Sequence, residues 1–116
     1  MNFREEPLGA VAMFLLPSLK LKEPGSDGST AESQIHRFLM DNFGGYTAQA
    51  GNIFGFWKEQ NGAESYGEHR AFTVALVDDG KLPELKRYLA HLATQMKEEC
   101  LYLQVDGQAF LIYAES

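Results

Sequence analysis

The chain has 116 residues, of which 45% are hydrophobic and 12% aromatic, and its formal net charge is −6. This length and composition predict a single folded domain over residues 1–116 and exclude a disordered chain. The ten Lys and Arg residues are scattered without a basic block, which disfavours nucleic-acid binding. A single cysteine, Cys100, excludes an intrachain disulfide and fits a cytoplasmic protein.

The first 29 residues contain an apolar run, LGAVAMFLL at 8–16, and a polar loop. Glu5 and Glu6 precede the run and no small-residue cleavage site follows it, so a signal peptide is disfavoured. The run is also too short to cross a membrane, and we interpret it as a buried strand within residues 9–19. The Gly, Pro and Ser residues of segment 20–29 predict a flexible loop.

A helix is predicted over residues 30–43. Ser29 and Glu32 have the spacing of a capping box, in which each side chain binds the other's free backbone amide. Apolar residues then recur at helical spacing from Ile35 to Phe43, and Gly44 stands where a left-handed C-cap is expected.

Two strands are predicted in the middle of the chain. Residues 53–59 favour a strand, and NGAESYG at 61–67 is interpreted as a hairpin connection. The following strand, about 68–77, alternates between two faces. One face carries Phe72, Val74 and Leu76, and the other carries His69, Ala71, Thr73 and Ala75.

The last third predicts a helix over 82–98, with Pro83 in its first turn, and strands at 100–105 and 109–114. Asp106-Gly107 between these strands is a hairpin signal. The order β-α-β-β-α-β-β predicts an α+β fold of the ferredoxin-like split β-α-β type. Such a fold has an antiparallel sheet with two helices on one face.

Several predicted strands are apolar on both faces. Ile53 and Trp57 lie on one face of their strand, and Phe54 and Phe56 on the other. Because the helices cover only one face of the sheet, we expect the protein to form a homodimer through the open sheet face. Alternatively, the loop 20–29 or the N-terminal arm covers that face.

No metal or cofactor site is expected. The three histidines have no partners at metal-ligand spacing, and no phosphate-binding or nucleophile motif is present. Cys100 follows Glu98 and Glu99, which would raise its pKa, so we expect an inert thiol and no catalytic residue is assigned.

One cluster is a candidate site for a small polar ligand. If the hairpin turn centres near Asn61–Ala63, Trp57 lies roughly opposite Glu68. A pocket there would combine aromatic, carboxylate and hydroxyl groups. Its candidate residues are Tyr46, Thr47, Trp57, Glu68, His69 and Arg70. The alternative, which we favour, is a core tryptophan beside an ion pair of Arg70 with Glu68.

A short pattern carries a family resemblance over about residues 33–113. It comprises FGGYT at 43–47, the G-x-W of Gly55 to Trp57, Glu68, and Glu99 before LYLQV. With it the chain resembles small uncharacterised bacterial and mobile-element proteins with a ferredoxin-like fold. The resemblance implies the fold and dimerisation, but no activity, substrate or catalytic residue.

Three functional hypotheses follow. The first is a homodimeric module that binds a small molecule, with a regulatory role. The second is a protein-interaction module of a mobile genetic element, of the defence, counter-defence or toxin–antitoxin type. The third and least favoured is a cofactor-independent enzyme, which would need His36 or His69 in a cavity with a perturbed pKa.

Overall fold

The computed structural model describes residues 2–78 and 80–116. Over these residues the chain forms an antiparallel sheet of six strands with two helices, which confirms the α+β class. The strands are β1 (Ala10–Pro17), β2 (Thr47–Ala48), β3 (Ile53–Lys58), β4 (Glu64–Leu76), β5 (Cys100–Val105) and β6 (Gln108–Tyr113). The helices are α1 (Ala31–Phe43) and α2 (Lys81–Gln95), and a short 3-10 turn spans Lys20–Lys22. The two-residue strand β2 was not predicted.

Three of the four helix ends lie within one residue of their predicted positions. Gly44 has φ +75° and its N–H donates to the Met40 carbonyl, which confirms the predicted left-handed C-cap. Helix α2 ends at Gln95 rather than at 98, because Lys97 adopts a left-handed φ of +58°. A non-glycine residue in this conformation cannot continue a right-handed helix.

The predicted capping box at the start of α1 is wrong. The N-cap is Thr30, whose side chain accepts the backbone N–H of Ser33. Ser29 instead donates its hydroxyl to Asp27 at 2.7 Å. Glu32 is drawn away from the helix end by Arg70 on β4, a charged donor that forms a stronger hydrogen bond than a free amide.

Strand β4 organises the sheet, whose order is β2-β4-β1-β5-β6 with β3 also paired to β4. The second part of β4 pairs with β1, from Pro17↔His69 to Ala10↔Leu76. Its first part pairs with β3, from Lys58↔Glu64 to Ile53↔His69. We call the two-stranded segment of residues 53–69 the ribbon.

The ribbon is longer than the sequence pattern suggested. The connection predicted at 61–67 is wrong, because β4 begins at Glu64 and the turn occupies 59–63. The turn is closed by the Ala63 N–H, which donates to the Asn61 side chain, and by Gly62 with φ +89°. Both features are typical of tight turns.

One hydrophobic core lies between the helices and the face of the sheet that they cover. Phe72, Val74 and Leu76 of β4 belong to it, as their alternation predicts. Leu21, in the segment predicted to be a flexible loop, is also fully buried. The largest fully buried side chains are Phe14, Leu16, Leu21, Ile35, Leu39, Leu85, Leu89, Leu92 and Leu103. Each stabilises the fold by about 1.5–3 kcal/mol relative to its exposed form.

The chain presents more surface than a compact monomer of its size. Its accessible surface is 7803 Å², against about 6,300 Å² expected for a monomer of this mass. Exposed apolar side chains lie on the open face of the sheet, among them Val11, Leu111 and Tyr113. No helix among the described residues is both long and apolar enough to span a membrane.

Candidate functional site

The ribbon carries most of the predicted site residues, but on two opposite faces. Trp57 pairs with Ser65, and Glu68 pairs with Phe54. The prediction that Trp57 lies opposite Glu68 is therefore wrong, because the turn is centred nearer the N-terminus than expected. Since side chains alternate along a strand, a shift of this kind changes which residues share a face.

One face of the ribbon is on the same side of β4 as the core residues Phe72 and Val74. It carries Phe54, Phe56 and Tyr66, which we call the aromatic face. The rings of Phe54 and Tyr66 are stacked with centroids 5.8 Å apart, and those of Phe56 and Tyr66 are 5.2 Å apart.

The aromatic face is open to solvent. The exposed fractions are 62% for Phe54, 77% for Phe56 and 50% for Tyr66. Exposed clusters of large apolar side chains are uncommon on soluble monomers and mark surfaces that bind a ligand or a protein.

Glu68 borders the aromatic face directly. Its Oε1 accepts a hydrogen bond from the Asn52 side chain at 3.2 Å. The pKa of the Tyr66 hydroxyl is raised by partial desolvation, by the negative charge of Glu68 and by a hydrogen bond with it. An exposed carboxylate thus stands at the edge of three aromatic rings, an arrangement suited to a flat ligand that carries positive charge.

Arg70 lies next to Glu68 on this side of β4, but the two do not pair. Its Nη1 donates to Oε2 of Glu32 at 2.8 Å, so the predicted ion pair of Arg70 with Glu68 is wrong. Arg70 Nε and the Ser18 hydroxyl oxygen are both buried and have no hydrogen-bond partner among the described residues. Ser18 is close by, since its N–H donates to the carbonyl of Glu68.

The opposite face of the ribbon holds Trp57 and His69. Their rings meet edge to face, with centroids 6.2 Å apart, and pass over Gly67. A Cβ at Gly67 would lie 2.8 Å from the His69 ring, so this packing requires a glycine. Trp57 Nε1 and the Ser65 hydroxyl both donate to Glu59, at 3.1 and 2.7 Å. These contacts fix the tryptophan, but 46% of it is exposed and it is not part of the core, so the prediction of a core tryptophan is wrong.

His69 is the histidine whose environment is perturbed. Burial lowers its pKa, although the charge of Glu98 acts in the opposite direction. Its Nδ1 is buried without a partner among the residues described. His36 and His91, in contrast, are exposed on the helices. Burial and the charges of Glu99, Glu98 and Glu59 raise the pKa of Cys100, as predicted for an inert thiol.

Tyr46 and Thr47 lie apart from the ribbon residues. The Tyr46 hydroxyl contacts Nδ1 of His36 at 2.8 Å, and its ring packs 6.1 Å from that of Phe72. Thr47 is exposed in β2, opposite Thr73. The six predicted residues therefore do not form one cluster, and Glu68 with Arg70 is the pair that borders the aromatic face.

Sequence reasoning missed Tyr66 and Asn52. Tyr66 was assigned to the hairpin connection, although the alternation in Ser65-Tyr66-Gly67-Glu68 could have placed it beside Glu68. Asn52 precedes β3 in an irregular segment, and no sequence signal places its amide near Glu68.

Two small depressions lie on the surface of the described part of the chain. One of about 290 Å³ is lined by Phe56, Trp57, Lys58 and Glu64. A second, of about 180 Å³, lies between the 3-10 turn and the end of α2, near Lys20 and Met96. Sites that bury a drug-sized ligand usually measure about 300–1,000 Å³. Among residues 2–78 and 80–116, no group of three or more His, Cys, Asp or Glu side chains is placed to hold a metal ion.

Comparison with known proteins reveals a similarity of fold. No protein-family model matches the sequence, and no curated protein matches it significantly. A phage SAM lyase in complex with S-methyl-5′-thioadenosine is similar with a TM-score of 0.60 and 14% identity, over 99% of this chain and 97% of that one. A phage SAM lyase in the apo state is similar with a TM-score of 0.51 and 15% identity, over 100% and 98% of the two chains.

Proposed function

We propose that this protein binds S-adenosylmethionine on the aromatic face and cleaves it as a lyase, releasing S-methyl-5′-thioadenosine. The observation that carries the proposal is the aromatic face beside Glu68, in a chain similar over 99% of its length to a SAM lyase that binds this nucleoside. Glu68 was already a candidate ligand-binding residue from the sequence.

The chemistry of the ligand fits the face. A purine ring can stack on Phe54 or Tyr66, an interaction worth about 1–3 kcal/mol per base in single-stranded nucleic-acid complexes. The sulfonium of S-adenosylmethionine is a cation, which aromatic rings attract through their negative faces. Glu68 supplies a carboxylate beside the rings, which attracts the positively charged end of the substrate, and the chain's net charge of −6 favours a cationic substrate.

The cleavage needs no oxidant or reductant. The bond between sulfur and the amino-acid chain breaks, and its electron pair goes to sulfur, which leaves as a neutral thioether. The carbon fragment balances in one of two ways: it loses a proton from the adjacent carbon to water and forms a C=C bond, or its own carboxylate attacks the carbon that leaves sulfur and closes a lactone. In this scheme Glu68 holds and orients the substrate, while the aromatic rings stack on the purine and attract the sulfonium.

We also propose that the protein associates with itself as a homodimer through the open sheet face. The exposed apolar residues of that face support this. For the sheet we propose the ferredoxin-like topology, which is supported by the neighbour sequence β5-β1-β4-β3.

Incubation of the purified protein with S-adenosylmethionine tests the function. Chromatography should detect S-methyl-5′-thioadenosine, and Glu68→Gln should lower its rate of formation at least about tenfold, since a charged contact is lost. Glu84→Gln is the matched control, because it removes the same charge at the start of α2, far from the ribbon, where Glu84 pairs with Lys81. No product from the unaltered protein, or equal rates in both variants, would contradict the lyase proposal.

If the protein binds the nucleoside but does not cleave S-adenosylmethionine, the result would favour the first hypothesis from the sequence, a regulatory module that binds a small molecule. The alternative of a protein-interaction module of a mobile element stays a prediction, as do the family resemblance and the cytoplasmic location.

A further inference from the structure

We propose that Arg70 and Glu68 together bind the zwitterionic amino-acid end of the substrate, with Arg70 binding its carboxylate. This inference rests on the proposed function and extends it, because it assigns the group that distinguishes S-adenosylmethionine from nucleosides without a carboxylate.

The placement of the two residues is the first argument. They are two positions apart on β4, so their side chains share a face and their Cα atoms lie about 7 Å apart. An α-amino acid carries its ammonium and carboxylate on one carbon, and a negative and a positive side chain at this spacing can contact both. Glu68 would take the ammonium and Arg70 the carboxylate.

The second argument is that the two charges do not neutralise each other. Arg70 donates to Glu32 and Glu68 accepts from Asn52. Each residue is therefore held by a separate partner, and each can still form hydrogen bonds with a ligand. Such a pre-organised pair loses little conformational freedom when a ligand binds.

The third argument is the unused hydrogen-bonding capacity around Arg70. A guanidinium has five N–H donors, and the hydrogen bond to Glu32 uses one of them. Arg70 Nε is buried beside the end of β1, as is the Ser18 hydroxyl oxygen, and neither has a partner among the described residues. The Arg70 side chain is nonetheless 23% exposed, so a planar carboxylate from solvent can bind guanidinium donors that Glu32 does not engage.

A purely structural role of Arg70 is the competing explanation. The ion pair with Glu32 connects α1 to β4, so loss of Arg70 could weaken binding only by disturbing the fold. A test must therefore compare ligands that differ in the carboxylate alone.

Three probes separate the two roles: S-adenosylhomocysteine, which has the same amino-acid end but no sulfonium to cleave, its decarboxylated form, and S-methyl-5′-thioadenosine, each titrated calorimetrically. We expect the unaltered protein to bind S-adenosylhomocysteine at least about tenfold tighter than its decarboxylated form, since a charged hydrogen bond is lost. Arg70→Gln should abolish this preference and leave the affinity for S-methyl-5′-thioadenosine within about twofold. Arg37→Gln is the matched control, because Arg37 pairs with Asp41 on the exposed side of α1.

Two results would contradict the proposed carboxylate subsite. One is that Arg70→Gln still prefers the carboxylate-bearing probe, and the other is that it loses affinity equally for all three probes. If Arg70→Gln does not fold, Arg70→Lys is used instead and should reduce the preference, because lysine cannot bind a carboxylate through two parallel hydrogen bonds. If the unaltered protein binds the thioadenosine but does not prefer the carboxylate-bearing probe, the subsite is wrong while nucleoside binding stands. If it binds none of the probes, the proposed function itself fails and the subsite with it.

Discussion

The two ends of strand β4 have the same alternating pattern but different surroundings. At the C-terminal end, Phe72 and Val74 are buried beneath the helices. At the N-terminal end, Tyr66 and Glu68 project from the same side of the strand and are exposed. The salt bridge of Arg70 with Glu32 of α1 lies between the two regions. Aromatic residues therefore stabilise the fold at one end of β4 and are free to bind a partner at the other.

Replacement of one phenylalanine at each end tests this contrast most strongly. Phe72→Ala should lower the free energy of unfolding by about 3–5 kcal/mol, because it leaves a cavity in the core. Phe56→Ala should change it by less than about 0.5 kcal/mol, since that ring is largely exposed. Chemical denaturation measures both values. A large loss of free energy of unfolding for Phe56→Ala would show that this ring is buried in the protein in solution, and it would contradict the difference between the two ends of β4.

The opposite face of the ribbon should be sensitive at Gly67. Gly67→Ala places a methyl group against the rings of His69 and Trp57, and we expect a loss of about 1–3 kcal/mol, as is typical of overpacking. The fluorescence of Trp57 should shift as the ring moves. Gly55→Ala is the control, because the nearest atom to its added Cβ is at an ordinary 3.9 Å. Equal stability and emission in the two variants would contradict the packing described.

Loss of the ion pair between Glu32 and Arg70 should lower the free energy of unfolding less than the Gly67 substitution does. Glu32→Gln removes its charge but keeps an oxygen acceptor for Arg70. Because both side chains are partly exposed, we expect a loss of at most about 1 kcal/mol in the free energy of unfolding. Added salt should reduce the difference in free energy of unfolding between the variant and the unaltered protein, because it screens the ion pair. A loss comparable to that of Phe72→Ala would mean that the boundary is as tightly packed as the core.

The smallest effect expected is a pH dependence from His69. Burial lowers its pKa below the ordinary 6.5, so at pH values below 6.5 the unfolded chain binds a proton more readily than the folded protein. Stability from this group is thus fully present above pH 6.5 and is lost as the pH falls towards the folded pKa. Unfolding at pH 7.5 and 5.5 should reveal a smaller pH effect in His69→Gln than in the control His91→Gln. Identical pH effects would show that His69 is solvated.

The elements could be predicted from sequence more fully than the site. The helical spacing from Ile35 to Phe43 and the glycine at 44 were sufficient to define α1, since both signals are local. The face on which Trp57 lies depends on the position of one turn, and an error there moved it from the side of Glu68 to the opposite side. The pairing of Glu32 with Arg70 joins residues 38 positions apart, and no local pattern indicates it.

If the aromatic face beside Glu68 is the nucleoside site, a bound nucleoside should change the environment of that face. Titrating the isotopically labelled protein with S-methyl-5′-thioadenosine and following its backbone amide resonances by NMR locates the site. We predict that the largest shifts occur at residues 54–56 and 66–68, and that Glu68→Gln retains the binding location while lowering affinity for S-adenosylmethionine. Shifts confined to the depression near Lys20 and Met96, or no shifts at all, would contradict the account.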